Sequence, residues 1–517
     1  MAPLDVVRWF PRALPPERWL IVVGILASIV VLAMSWNLPL LEFHGFRQTQ
    51  TAISSYWMWS SHNWLAYPTP VLGYPWSIPF EFPFFQAVVL GVASVLPITL
   101  DQAGRLTSWL FAVATVVPLR ICIREITGRT RLADTMAALF LLSPLYLFGA
   151  RTFMIESTAL FFAVSFFALA ARQWRAPSWP VFLLMVLAAT LAALVKITTF
   201  FGFGLVSGIY LISRFDGMRD GNSPALWPWL RRCLPAAIAV AVAIALTAAY
   251  IHFCDVQKAK TVWGSHLTSQ SLSGWNYGNW AQKTSSELWM DVVFGRASQQ
   301  LLGSVWVLPM VAAVCLAFGR GLRGFAIIAM LGYLVPFFVF ANLHQVHSYY
   351  QHANGIFLVA LAACATEAVR IRWNDRAALV ATFALVAMML FGFQNDFLHY
   401  LVDPRIDSRI VALSTIARQN TAPDDVLLVF GEDWSSEVPY YATRRAMMVK
   451  DAVTGDALRR MRTDPASYAG NYRVGMVMVC PNGISKNPNA VAEYQKLVAT
   501  VIEGRRRYRV SGCDVYR

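Results

Sequence analysis

Runs of about 20 apolar residues, the length needed to cross a bilayer as a helix, recur along this chain up to residue 397 and limit what it can fold into. Eleven spans are expected, near 19–38, 104–123, 133–149, 153–171, 179–195, 197–213, 234–252, 300–318, 324–341, 353–369 and 377–397. Segments 48–60 and 84–97 are apolar or amphipathic but short, and are expected to lie in the membrane interface. Composition agrees: 57% of the 517 residues are hydrophobic and 14% charged, against about 45–50% and 25% in soluble domains. A soluble multidomain enzyme, a disordered chain and a disulfide scaffold are excluded. The net charge of +14 reads as the loop bias that orients a polytopic protein rather than as nucleic-acid binding.

With the N-terminus inside, the cytoplasmic segments hold 18 Lys and Arg: Arg8, Arg12, Arg18, Arg120, Arg124, Arg129, Arg131, Arg172, Arg175, Arg214, Arg219, Arg231, Arg232, Arg320, Arg323, Arg370, Arg372 and Arg376. The opposite side, up to residue 400, holds 8: Arg47, Arg105, Arg151, Lys196, Lys258, Lys260, Lys283 and Arg296. The first apolar segment follows Arg12 and Arg18 without a small-residue cleavage site and reads as an uncleaved anchor. An odd number of spans places the C-terminus outside. All eight histidines then fall on or near the exterior face, as expected of an external site or simply of the preference of histidine for interfaces.

Three regions face out: residues 39–103, residues 253–299 and residues 400–517. The last has ordinary soluble composition, with helical patterns over 407–419 and 491–501 and strand patterns over 426–430, 475–480 and 508–516. Such alternation implies a small α/β layer domain. The expected fold is an α-helical polytopic membrane protein of about 11 transmembrane helices (1–399) with a small C-terminal α/β extracytoplasmic domain (400–517). Of the seven cysteines, five lie in or beside spans and read as packing residues. Cys480 and Cys513 could pair in an oxidising compartment, although spacing does not fix connectivity.

Polar residues gather at outer span ends, where ionisable groups are expensive and usually functional. The densest cluster runs from Glu42 through His44, Arg47 and Gln48 to Thr51, directly after the first span. Arg47 offers a bidentate fork to phosphate. His44 can accept a proton near neutral pH or ligate a metal. The plainer reading is an interfacial cap meeting lipid phosphates. Glu81 stands between Pro79 and Pro83 in a rigid extended turn; a solvated loop carboxylate is its plainer reading. Arg151 and Glu156 begin the fourth span, and Lys196 ends the fifth, as anchors, snorkelling groups or phosphate partners. Between the ninth and tenth spans lie His344, His347, Tyr349 and Tyr350. An H-x-x-H pair is a weak metal signal, and hydrogen bonding to a sugar or phosphate suits His347, Tyr349 and Tyr350 better.

Taken in order, these clusters resemble the GT-C class of polytopic glycosyltransferases, in the bacterial branch related to the protein O-mannosyltransferases and the lipid A aminoarabinose transferase. The resemblance covers about residues 15–370. It rests on His44-Gly-Phe-Arg47-Gln48-Thr49-Gln50-Thr51-Ala52 after the first span, on Glu81-Phe82-Pro83 opening an interfacial helix, on Arg151 followed by Glu156, and on His347-Ser-Tyr349-Tyr350. It implies a GT-C-like membrane module, a polyprenyl-phosphate-linked sugar as donor, transfer to an acceptor glycan, lipid or protein on the external face, and a bacterial plasma-membrane location. It implies a catalytic role for His44, which stands where many relatives have an Asp, with Glu42 as substitute and Glu81 and Glu156 as acidic partners. Donor phosphate then falls to Arg47, aided by Lys196 or Arg151, since Phe82 replaces a phosphate-binding Lys. Gln48, His347, Tyr349 and Tyr350 are expected to bind substrate. Carboxylates on this face could hold Mg²⁺ or Mn²⁺, though no spacing requires it. The competing expectations are a lipid or polysaccharide transporter, which would favour mid-span charges or internal repeats, and a polymerase or ligase using a lipid-diphosphate donor.

Overall fold

The computed structural model describes residues 15–215, 219–220, 223–224, 226–319, 321–404, 406–450, 453–481 and 488–517. Arg8, Arg12 and Arg320 of the expected cytoplasmic charges lie outside the described residues, and of Arg219 only the backbone is described.

Helices occupy every segment in which a span is expected. Among the described residues five are long and apolar enough to cross a membrane by length and composition, Pro16–Ser35, Leu100–Thr127, Leu226–Lys258, Ser348–Arg372 and Asp375–Asp396, or six if the bent pair Glu287–Leu302 and Val307–Phe318 is one span. Two expected spans are broken. The 133–149 segment is α6 (Thr130–Leu142) followed by a separate short helix, Pro144–Gly149. Pro144 has no N–H to donate and suits a first helical turn, so the chain restarts there. The 300–318 segment is interrupted by Gly303, which adopts φ 79° between Glu287–Leu302 and Val307–Phe318, and the two halves bend by 87°. A Cβ at Gly303 would lie 2.1 Å from the Met388 carbonyl oxygen, so only glycine fits this turn. The two short segments are helices as well, Gly45–Ser61 (α2) and Phe84–Val95 (α3).

Helix α8 (Glu156–Arg175) packs against α9 (Trp179–Val195), and both bury several alanines, among them Ala163, Ala170, Ala188 and Ala192. Small residues let helix backbones approach where lipid gives no hydrophobic drive. Gly24 of α1 (Pro16–Ser35) serves the same end against α6, since its Cβ would come within 2.6 Å of the Leu141 Cβ.

Residues 426–516 contain a five-stranded sheet: β1 (Val426–Phe430), β2 (Arg445–Val449), β3 (Val474–Val479), β4 (Arg507–Val510) and β5 (Cys513–Tyr516), in the order β2-β1-β3-β5-β4. Strand β1 is parallel to both its neighbours, and β5 is antiparallel to β3 and β4. Every residue of β1 is buried, the mark of a central parallel strand. The 508–516 pattern resolves into a hairpin, and β2 is an addition to the expected strands. Cys480 and Cys513 form a disulfide joining the end of β3 to the start of β5. The free edge of β2 is covered by residues 70–73 of the first loop: Ala446 N–H donates to the Pro70 carbonyl and Met448 N–H to the Val71 carbonyl, both at 2.9 Å. An open strand edge is thereby closed. First-loop residues such as Leu40, Ile53 and Leu72 share one hydrophobic core with the sheet, and this seam brings C-terminal side chains to the site described next.

Candidate active site

The turn bearing Glu81 is fixed by its prolines and by one hydroxyl. Tyr67 Oη accepts from the backbone N–H of Phe80 (2.9 Å) and of Glu81 (3.2 Å) and donates to the Glu81 carbonyl (2.9 Å). The Glu81 carboxylate, 25% exposed, thereby meets the guanidinium of Arg47 on α2 in an ion pair. Arg47 also donates to Gln50 Oε1 at 2.6 Å.

A second cation arrives from a helix break. Lys196 has extended backbone (φ −161°, ψ 96°) between α9 and α10 (Ile197–Ile212). Its ammonium donates to Glu156 Oε1 at 2.6 Å and lies 4.3 Å from the Tyr350 ring centroid and 5.2 Å from that of Tyr349. Both tyrosines sit on the 3₁₀ turn Ser348–Tyr350, and the His347 ring stacks on Tyr349 at 5.0 Å. His44, in the left-handed region (φ 59°) where α2 begins, shares a 3.1 Å hydrogen bond between Nε2 and Ser348 Oγ. Burial and then the neighbouring His352 push the His44 imidazole down to about 3; burial and the cations Arg47 and Lys196 push His347 down to about 4. Both rings are therefore neutral at physiological pH.

These groups face one cavity of about 600 Å³, lined by His44, Arg47, Gln50, Glu81, Lys196, His347, Tyr349 and Tyr350. Seven of the residues singled out in the sequence converge there from segments some 300 residues apart. Glu42, Gln48, Arg151 and Glu156 do not line it. Glu156 is buried and reaches the cavity only through Lys196. Gln48 is buried, donating to the Phe43 carbonyl (2.8 Å) and accepting from the Phe153 N–H (2.9 Å). These bonds tie the start of α2 to Phe153.

Glu42 and Arg151 also belong behind the wall. Both side chains are 0% exposed and paired with each other, and Arg105 completes the group at 2.9 Å from Glu42. Burial raises the Glu42 carboxyl, but the two guanidinium charges outweigh it and hold the carboxyl below its ordinary value. Burial lowers Arg151 to about 10, leaving it charged. Neither Glu42 nor Arg151 is among the residues that line the cavity.

Among the cavity residues that sequence reasoning missed are the charged Asp255, Lys258, Asp433 and Lys450 and the aromatic Trp434. Lys258 ends the long apolar helix α11 (Leu226–Lys258) and looks there like a span-end anchor. Trp434 and Lys450 come from the C-terminal region, where no motif marks them.

Among the described residues one group of three metal-ligating types comes together, Glu432 with Cys480 and Cys513, and both sulfurs are in the disulfide. Glu81 and Glu156 each face a cation. His344 is buried against Phe337, away from the cavity that His347 lines.

No family model and no curated protein matches the chain. Solved structures do. ArnT from Cupriavidus metallidurans bound to undecaprenyl phosphate superposes with a TM-score of 0.64 at 15% identity, covering 97% of this chain and 98% of that one. The archaeal oligosaccharyltransferase AglB from Archaeoglobus fulgidus, in complex with an inhibitory peptide and a dolichol-phosphate, gives 0.53 at 11% identity, covering 97% and 74%. The arabinofuranosyltransferase AftD from Mycobacteria gives 0.52 at 14% identity, covering 97% and 41%. All three are GT-C glycosyltransferases, and the chain has their fold.

Proposed function

We propose that the chain is a membrane glycosyltransferase that moves a sugar from a polyprenyl-phosphate donor to an acceptor hydroxyl on the external face of the membrane, with inversion. The observation that carries this reading is the meeting of Arg47, Glu81, Lys196, Tyr349 and Tyr350 in one cavity of a chain with the GT-C fold. The undecaprenyl phosphate and dolichol-phosphate bound to two of the similar structures support the donor class. In this reading eleven helices cross the membrane with the N-terminus cytoplasmic, and the cavity opens on the periplasmic side of a bacterial inner membrane.

The donor phosphate is held by Arg47 and Lys196, whose fixed charges meet the negative charge that grows on the leaving oxygen. Arg47 turning to the phosphate loosens its pair with Glu81. The Glu81 carboxylate then takes the proton of the acceptor hydroxyl as the oxygen attacks the anomeric carbon from the face opposite the phosphate. The bond between that carbon and the phosphate oxygen breaks, and the lipid phosphate leaves. General-base help of this kind is worth about 10²–10⁴-fold. His44, neutral and tied to Ser348, positions the acceptor by hydrogen bonding. Arg47→Ala and Glu81→Gln are expected to abolish transfer in a membrane assay with a polyprenyl-phosphate sugar while leaving insertion intact. Full activity in both variants would overturn the assignment, and competition by a lipid diphosphate but not by a monophosphate would replace the donor.

A further inference from the structure

The cavity holds two kinds of cation. Arg47 and Lys196 each face a carboxylate. Lys258 and Lys450 form no ion pair among the described residues. Each lies over an aromatic ring instead: Lys258 Nζ is 5.0 Å from the Phe80 centroid and Lys450 Nζ 5.8 Å from that of Trp434. The two rings neighbour one another at 6.0 Å with 36° between their planes. Phe46 meets the indole edge-on at 5.0 Å and 79°, which fixes its orientation. The result is one continuous wall running lysine, phenyl, indole, lysine. Lys258 comes from the outer end of a long helix and Phe80 from the Glu81 turn, whereas Trp434 and Lys450 come from the C-terminal layer.

This wall has the chemistry of a site for an acidic sugar. A flat aromatic face packs against the C–H face of a pyranose ring, as apolar area is removed from water. Asp255 and Asp433 line the same cavity and favour the charged forms of Lys258 and Lys450 without an ion pair to either, so each ammonium keeps donors for an anion, and a partly buried cation attracts one more strongly than an exposed one. Burial lowers the Lys450 ammonium from its ordinary value, so an anion brought beside it would recover part of the cost of its charge. The donor phosphate, held by the inner pair, leaves these two lysines unused.

We propose that this wall is the acceptor subsite, and that the acceptor is a sugar bearing a carboxylate or phosphate which pairs with Lys450 and Lys258 while its ring lies on Trp434. The inference rests on the glycosyltransferase reading. The C-terminal layer then selects the acceptor, and Phe80 and Glu81, adjacent in sequence, link the subsite to the proton acceptor.

The test uses full-length protein in detergent micelles and methyl β-glucuronide, glucose 6-phosphate and neutral methyl β-glucoside as probes, with binding read by saturation-transfer NMR. Undecaprenyl phosphate is titrated in parallel, read by thermal stabilisation. At least one acidic sugar is expected to bind 10-fold or more tightly than the neutral one, and which of the two does so separates carboxylate from phosphate. Lys450→Gln is expected to remove that preference and Trp434→Leu to weaken all three sugars, with Trp434→Phe restoring most of the loss. Neither change should alter stabilisation by undecaprenyl phosphate. Absence of sugar binding, equal affinity for acidic and neutral sugars, or a preference that survives Lys450→Gln overturns the proposal. So does loss of undecaprenyl phosphate stabilisation in Lys450→Gln, which would give the outer lysines to the donor. An acidic-sugar preference that depends on Lys450, in a protein undecaprenyl phosphate does not stabilise, upholds the subsite and overturns the donor reading alone.

Discussion

Glu42→Gln separates a supporting role from a catalytic one. The Glu42 side chain is fully buried between Arg105 and Arg151, and Arg105 also donates to the Leu38 carbonyl at 3.1 Å. A contact between unit charges at this range is worth about 4 kcal/mol at an effective dielectric near 20, most of it offset by desolvation. Removing one partner of a buried pair costs about 3–5 kcal/mol because the other charge is stranded. Here two guanidiniums are stranded together, so the upper end, about 5 kcal/mol, is expected. Arg151→Met leaves Glu42 and Arg105 as a neutral pair and should cost clearly less. Apparent melting temperatures in detergent, read by size-exclusion chromatography after heating, should rank Glu42→Gln below Arg151→Met, and both below wild type. A Glu42→Gln protein of wild-type stability that binds undecaprenyl phosphate but fails to transfer would refute this reasoning and return Glu42 to the role of proton acceptor.

Two further outcomes follow from the same physics. The folded-state His44 pKa lies far below its unfolded value of about 6.5, so its neutral form contributes stability above that pH, and this is lost as pH falls toward 3. Wild type should therefore lose its melting advantage over His44→Gln as pH drops from 7 to 4, and a gap that does not change with pH would show His44 to be solvated. In denatured, unreduced protein five of the seven cysteines should react with a thiol reagent, and Cys513→Ser should destabilise the C-terminal layer by about 2–5 kcal/mol, read by limited proteolysis; labelling of all seven would remove the disulfide.

Hydropathy alone located the helices, because burial of apolar side chains over some 20 residues is a local signal. The break at Gly303 was hidden within an apolar run, since the packing that demands it comes from distant Met388, whereas Pro144 carried a local signal that the hydropathy of its run masked. Strand β2 was missed because Arg-Ala-Met-Met-Val carries one β-branched residue in five and takes its place from β1 and residues 70–73. In the site, Arg47, Glu81, Lys196 and the tyrosines were legible as polar groups at outer span ends. Glu42 and Arg151 stood in the same clusters, and only the fold reveals that they face each other. Lys258, Trp434 and Lys450 were illegible for the opposite reason: each has an ordinary local explanation, and they become one wall only when the C-terminal layer docks on the first loop.

In the proposed function Arg47 and Lys196 hold a lipid phosphate in the cavity they share with Glu81. A cryo-electron microscopy map of the protein with undecaprenyl phosphate tests it most directly. Phosphate density is expected within hydrogen-bonding distance of both cations, with the isoprenoid chain running out toward the bilayer. Phosphate density outside this cavity, with Arg47 still paired to Glu81, would contradict it.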